Sequence, residues 1–587
     1  MQNKLLVTAG LFSVAVSLFA QEALKSTEEE YYDFLSLSGI TRRPTLGYRT
    51  LSDSQWQFVE KENPLFDENG NPLLDEKGNP VTEKTLPEHV WQNNNLGRKR
   101  TLWQSENKGE NWFTRGFDHS IKFKAYGPEW YNSFNTSSPY GQNDGGLWQG
   151  KGYNTSLTGG ARLEAYGFEL TIKPQVSFSQ NLEFDLVDNS AYYTNKYAYI
   201  WGYGNNVGVD APQRFGDSAF WNFDWGDTEI RWSWRTFTIG FGTQSPWIGP
   251  AWLNPVLHSN NAASYPKFDI GLRKTEIKLP YLGWSLGHIE ARLWIGYLSE
   301  SKYFDNDSSN DHNMIHGLSI SYAPSFIPGL TLGANRTCLA KWKLKNLRYI
   351  FPSSGNYIGD DATEGEDQRV SFTADWIFPV IGFEVYGELG FDDGLHFDSV
   401  PGHARVYTVG LKKTLPVIKK LNIHSEILLE WNCTEMSQDF QLQWPYNFGF
   451  HYHITQGYTN KGQWIGAGSG YGGRSFFFGL NILHKRGSIL FFLHKWQPDN
   501  NYIYSKAVNA SAADGTLNKK WELAWKTFTV YGIRANCFIT SNFFLELGIF
   551  NVSTTNPLYR TDDDENEQGG IHWTRNIHIE CKMKYQL

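Results

Sequence analysis

Ile577-His578-Ile579-Glu580-Cys581-Lys582-Met583-Lys584-Tyr585-Gln586-Leu587 closes the chain, and its reading decides the fold. Successive side chains of a strand point to opposite faces. Ile577, Ile579, Cys581, Met583, Tyr585 and Leu587 therefore share one face, and His578, Glu580, Lys582, Lys584 and Gln586 the other. One face is apolar and the other polar or charged, up to the last residue. A soluble sheet can alternate in this way. A strand ending in an aromatic and an aliphatic residue also suits the closing strand of an outer-membrane barrel.

The same period runs outward from this tail through most of the chain. Ile121, Phe123 and Ala125 alternate with Lys122 and Lys124. Phe168, Leu170 and Ile172 alternate with Glu169, Thr171 and Lys173, and Tyr531, Ile533, Ala535 and Cys537 with Gly532, Arg534 and Asn536. Similar runs recur from residue 117 to the end, giving about 18 strands, a number typical of large single-chain barrels. No long helical pattern separates them, so an antiparallel meander fits better than βαβ units. A propeller would show a blade repeat of about 40–50 residues, and none is found. Aromatic residues cluster near strand ends (Trp201, Tyr203, Trp221, Trp225, Trp232, Trp234, Trp284, Trp294), as interfacial girdles require. The expected fold is an all-β antiparallel transmembrane β-barrel with a small N-terminal helical element.

Composition agrees. The mean hydropathy of -0.47 argues against a helical membrane protein, but not against a barrel, whose strands send only every second residue into lipid. Lys4, the apolar stretch Leu5 to Phe19 and Ala20 read as a cleavable signal over residues 1–20, so the destination is the cell outer membrane. A net charge of -8 disfavours nucleic acid. Cys338, Cys433, Cys537 and Cys581 form no CxxC, which disfavours structural zinc. Cys537 and Cys581 fall on the apolar register of their strands. Residues 21–60 read as a small N-terminal helical element, with Thr27 and Glu30 fitting a capping box. Within 61–116 the octads NPLFDENG and NPLLDEKG, followed by NPV, suggest a turn-rich loop or hairpin excursion. Residues 117–587 are assigned to the barrel.

Several ordered motifs narrow the reading. Gln244-Ser-Pro-Trp247-Ile-Gly249-Pro250-Ala-Trp252, running on to Ser259-Asn260-Asn261-Ala262, resembles the WWGPG…SNNA signature of the Wzi-like capsule assembly proteins. Asn143-Asp144-Gly145-Gly-Leu-Trp148-Gln-Gly150, Pro212-Gln-Arg214-Phe-Gly216-Asp217 and Gln456-Gly457-Tyr458-Thr459-Asn460-Lys-Gly462 are likewise similar to segments of that family. Pro246 and Ala251 depart from its pattern, and the octads are extra. The resemblance implies an outer-membrane barrel with a helical element on its periplasmic side. It also implies a lectin-like role: binding and retaining capsular or other exopolysaccharide during capsule assembly.

A glycan site wants aromatic platforms beside amides and charges that engage hydroxyls. The candidate carbohydrate-binding residues are Trp247, Trp252, Asn260, Asn261, Trp444, Tyr458 and Asn460. The competing reading of each is structural: a Gly-Pro turn, interfacial tryptophans, or a folded loop filling the lumen. Arg336, Glu384, Glu388 and Arg405 are expected to form a charge network inside the lumen. Glu384, Glu388, Asp392 and Asp393 could in principle do acid–base hydrolysis, yet pairing with inward arginines suits them better. No catalytic signature is present, so no enzyme activity is expected, and no metal or cofactor. His451 and His453 lack a third ligand at recognisable spacing, and Gly468–Gly473 leads into a strand where a dinucleotide site needs a helix. The expected partners are surface polysaccharide, outer-membrane lipid and the barrel-assembly machinery, with the oligomeric state open and a monomer favoured. The alternative reading is a porin for sugars or other small solutes.

Overall fold

The fold is described from a computed structural model over residues 26–49, 56–66, 72–74, 80–93, 100–104, 109–202, 208–305, 307–351, 365–392, 405–435, 447–509, 524–561 and 573–585. Eighteen antiparallel strands close into a barrel. In chain order they are β1 (Ser120–Asn135), β2 (Gly152–Ala165), β3 (Phe168–Ile172 and Gln175–Ser179), β4 (Phe220–Asp224 and Glu229–Trp234), β5 (Phe237–Gly242) and β6 (Lys267–Lys278). There follow β7 (Ser285–Ser299), β8 (His312–Pro324), β9 (Leu330–Lys341), β10 (Glu366–Phe378), β11 (Phe383–Asp392) and β12 (Arg405–Thr414). The last six are β13 (His424–Cys433), β14 (Arg474–His484), β15 (Gly487–Gln497), β16 (Thr527–Phe538), β17 (Phe543–Thr555) and β18 (Trp573–Tyr585).

The alternation of the tail is realised in β18. Ile579 is exposed on the outer wall, while His578, Glu580 and Lys584 are buried inside. Cys537 and Cys581 stand on the outer register of β16 and β18, opposite Leu545 and Leu547 of β17. Closure differs in register from the pairing with residues 118–126 that the sequence suggests. His578 to Lys584 pair with Glu129 to Asn135 of β1. The start of β1 pairs instead with Arg100–Gln104, which lies within the stretch expected to be loop. The reason is length: β1 runs for 16 residues, longer than its partner can follow.

Short connections (166–167, 235–236, 325–329, 485–486) gather at one end, and long ones (180–219, 243–266, 434–473) at the other. In outer-membrane barrels the long connections face outside. Of the residues expected in the girdles, Trp221, Trp225 and Trp284 are exposed, whereas Trp201 and Trp294 are fully buried and take no part in one. Trp294 stands on the inward register of β7 against Gly317, and Trp201 donates to Asp499 at 2.5 Å. Tyr203 lies outside the described residues, as do the signal segment and Asp393.

A helix α1 (Thr27–Leu37) occupies the short-turn mouth. Its cap is Ser26, whose Oγ accepts from Glu29 N at 3.1 Å, one residue earlier than the Thr27–Glu30 box. Tyr31 and Phe34 pack with Trp91 against Leu483, Phe538 and Phe544 of the wall. The octads close on themselves. Leu65 N donates to Val81 O, Leu73 N to Leu65 O and Val81 N to Leu73 O, at 2.7–2.9 Å. Leu65, Leu73 and Val81, each following an Asn-Pro, thus close a three-membered ring of backbone hydrogen bonds.

Candidate functional site: a plugged lumen

The four motif segments converge inside the long-loop end of the barrel. Asn143 N donates to Asn261 Oδ1 (3.0 Å) and Asn143 Nδ2 to Leu253 O (3.1 Å). Gly145 N reaches Asn260 O at 2.9 Å. Asn261 Nδ2 donates to Trp464 O (3.0 Å), and Ser259 Oγ to Gly466 O (2.6 Å). The rings of Trp148 and Phe215 lie 4.9 Å apart. Between them sits an apolar core that includes Val256, Leu257, Phe448, Tyr458, Ile465 and Tyr471, all buried. Fully burying such side chains is worth about 1.5–3 kcal/mol each. That burial is why these loops fold inward.

Carboxylates on the barrel wall seat the plug through its backbone. Glu430 of β13 accepts from three consecutive amides, Trp252 N (2.7 Å), Leu253 N (3.0 Å) and Asn254 N (2.8 Å). The Tyr386 hydroxyl donates to the same carboxylate at 2.8 Å. Glu388 accepts from Val256 N at 2.8 Å, and Asp224 from Ser264 N at 3.0 Å. A loop in a water-poor lumen must satisfy its amides somewhere, and the inward register of the wall supplies acceptors.

At the opposite mouth Arg43 binds Asp33 (2.6 Å), Asp375 (2.7 Å) and Glu384 (2.8 Å). Lys412 Nζ reaches Asp33 at 2.5 Å and Glu384 at 3.3 Å. Burial pushes the Asp33 carboxyl up, but Arg43 and Lys412 overcome it and hold it well below the usual carboxylate range. Sequence reasoning named Glu384 and missed Arg43, Asp33 and Glu430. The alternation of its strand is the signal that could have placed Glu430 in the lumen beside Glu384, but nothing local names the partners of either.

The candidate glycan residues fall into two groups. Trp247, Tyr458 and Asn460 are buried parts of the plug. Trp247 Nε1 donates to Ala251 O at 2.9 Å under the Arg49 guanidinium. The Tyr458 hydroxyl donates to Leu257 O (2.9 Å) and lies 2.8 Å from Thr337 Oγ1. Asn460 Nδ2 donates to Ala263 O (2.8 Å), and its Oδ1 accepts from Ser299 N (3.0 Å). Asn261 is half-buried in the cross-links given above. Trp252 and Asn260, also half-buried, line a polar cavity of about 350 Å³ together with Tyr131, Gln149, Asp144 and Arg534. Burial pushes the Asp144 carboxyl up to about 7, against the lowering effect of its hydrogen bond with Gln149. Trp444 lies outside the described residues. His451 Nδ1 accepts from His453 N and Ile454 N, both at 3.3 Å, so this imidazole caps a turn.

Two members of the expected lumen network are elsewhere. Arg405 is exposed and pairs in register with Phe391, on the outer wall. Arg336 shares the outward register of Leu332 and Ala334 on β9 and donates to Tyr349 O at 2.8 Å. The physical reason is the two-residue period: Leu332 is exposed to the outside, so Arg336, four residues on, must face the same way.

The family described as "Capsule assembly protein Wzi" matches residues 132–501. No curated protein sequence matches. Among solved structures, Escherichia coli Wzi, described as a carbohydrate-binding β-barrel involved in group 1 capsule assembly, is similar at 13% identity and a TM-score of 0.50. That likeness covers 79% of this chain and 85% of Wzi. Pseudomonas putida OprB (9% identity, 81% and 94% coverage, TM-score 0.33) and Pseudomonas aeruginosa OccK2 (12%, 80% and 99%, 0.36) are more distant in shape. The match spans β2 to β15 and all four plug segments, and the chain belongs to the Wzi family of capsule assembly proteins.

Proposed function

We propose that this barrel binds and retains a surface polysaccharide, taking part in capsule assembly without catalysing a reaction. Family membership supports the reading, and the plug carries it: the motif segments fill the lumen, so the long-loop surface is left to engage a partner. On that surface Tyr452 is exposed, with its ring 3.9 Å from that of His453, the kind of platform that sugar C–H faces stack on. Trp252 and Asn260 line the cavity inside the barrel, which Ser26, Thr27 and Glu30 of the N-terminal segment also line, so they offer a contact within the lumen and not on that surface; Trp444 belongs to the same loop as Tyr452. Trp247, Tyr458, Asn460 and Asn261 act through the plug that presents these groups. Glu388, whose Oε2 receives Val256 N, serves as an anchor; Glu388→Gln should leave no lost activity to detect.

Detergent-solubilised protein should bind purified surface polysaccharide from its own cells. Tyr452→Ala combined with His453→Ala should weaken that binding about tenfold, the scale of one lost aromatic stack. Absence of binding, or a normally retained glycan layer in a deletion strain, would remove the proposal. The polar cavity favours one rival, a narrow solute channel. Wild-type protein in planar bilayers should stay silent, and stepwise conductance would favour the channel.

A further inference from the structure

Residues 341–351 read Lys-Trp-Lys-Leu-Lys-Asn-Leu-Arg-Tyr-Ile-Phe, basic and apolar side chains interleaved. The segment leaves β9 at the long-loop end and doubles back as a short 3₁₀ turn (Leu344–Ile350). It packs on the outside of the barrel. Tyr349 clusters with Cys338 and Ala340, which share the outward register of Leu332, and Arg336 donates to Tyr349 O from that same face. His316, on the outward register of β8, is buried there too. Asn346 Nδ2 donates to Lys341 O at 2.8 Å and tightens the turn. Trp342 meets the outward Tyr297 edge-on at 4.8 Å.

What this strap shows to its surroundings is unusual for a loop in water. Leu344 is 85% exposed and Phe351 62%, with Trp342 and Leu347 also exposed. Lys343, Lys345 and Arg348 are exposed between them. Apolar side chains on the outer wall of a membrane barrel meet acyl chains, and aromatic residues settle at headgroup depth. Cations at that depth seek phosphate, which arginine and lysine engage through charge-assisted hydrogen bonds. Arg348 donates to the Tyr349 hydroxyl at 3.0 Å and keeps its exposed edge. An acidic polysaccharide would match the charge of the strap and leave the leucines and Phe351 in water. An anionic lipid matches both.

We propose that the strap at residues 341–351 is a docking site for a phosphate-bearing glycolipid of the outer leaflet. Lys343, Lys345 and Arg348 hold the phosphates, while Leu344, Leu347 and Phe351 lie along the acyl chains. Arg336, missing from the lumen, acquires a role: it pins the strap to the wall.

The test uses the full chain in a neutral detergent and native mass spectrometry to count retained molecules of bisphosphorylated lipid A. Wild type should retain it and should bind the dephosphorylated lipid on the order of 100-fold more weakly, since each cation near an anionic lipid surface contributes roughly fivefold. Lys343→Gln/Lys345→Gln/Arg348→Gln should lose the bisphosphorylated lipid to the same degree while the barrel keeps its heat-modifiable mobility on gels. Equal retention of both lipids by wild type overturns the proposal whatever the variant does. Loss of polysaccharide binding, with lipid retention unchanged in the triple variant, would reassign the strap to the glycan.

Discussion

Glu430→Ala should convert a silent barrel into a conducting one. The substitution removes the acceptor for Trp252 N, Leu253 N and Asn254 N and strands the Tyr386 hydroxyl. Each buried donor left without a partner costs about 1–3 kcal/mol, so three amides together cost on the order of 5 kcal/mol. Local opening of the 246–262 segment then becomes easier by about that amount, while the hydrogen-bonded wall is untouched. Amide hydrogen exchange at 252–254 should accelerate on the order of 1000-fold, and planar bilayers should show steps. Glu430→Gln retains one acceptor oxygen and should fall between. A variant with unchanged exchange and no conductance would mean that the apolar core of the plug holds it alone.

Arg43→Met should release the N-terminal segment. One guanidinium is shared by Asp33, Asp375 and Glu384, and removing the cation from a buried cluster costs about 3–5 kcal/mol because the carboxylates remain. Limited proteolysis should cut within residues 26–49 while the barrel itself resists. Arg43→Lys should recover only part of the docking, since an ammonium cannot fork towards three carboxylates in a plane. Acid should act in the same direction. Asp33 is held below its unfolded value by Arg43 and Lys412, so its contribution is present above about pH 4 and is lost as pH falls towards the folded value. Resistance to protease that is unchanged from pH 7 down to pH 2 would place the stability of this mouth in the aromatic packing around Tyr31 and Trp91.

The barrel was legible because a membrane wall enforces a two-residue period over its whole circumference. The count of about 18 strands follows from that period alone. The same period contained the answer for Arg336, in register with Leu332 and Ala334, although charge suggested the opposite face. Closure register was not legible, because nothing in β1 marks where β18 stops and Arg100–Gln104 begins. The roles of Trp247 and Tyr458 were hidden for another reason. Both lie in glycine-rich stretches that look like surface loops; Tyr458 is turned inward by the apolar core it joins, which draws on residues 256 to 471, and Trp247 is held by Ala251 O and the Arg49 guanidinium. Arg43 meets Asp375 and Glu384 across more than 300 positions, a separation at which no local pattern carries information.

The wall carboxylates grip the plug by main-chain amides, which every residue except proline possesses. At Leu253 the socket therefore holds main chain, whereas Asn254 adds its own side chain, which donates to Glu430 at 3.4 Å and accepts from Ser469 N at 3.1 Å, and the Trp252 ring packs on Phe477. Under the proposed glycan-binding role, outward-looking positions can be rewritten to suit a new sugar while the fit between stopper and barrel stays as it was. On that reading recognition and seating fall to different residues, and a change of glycan need not reopen the question of how the pore is kept shut.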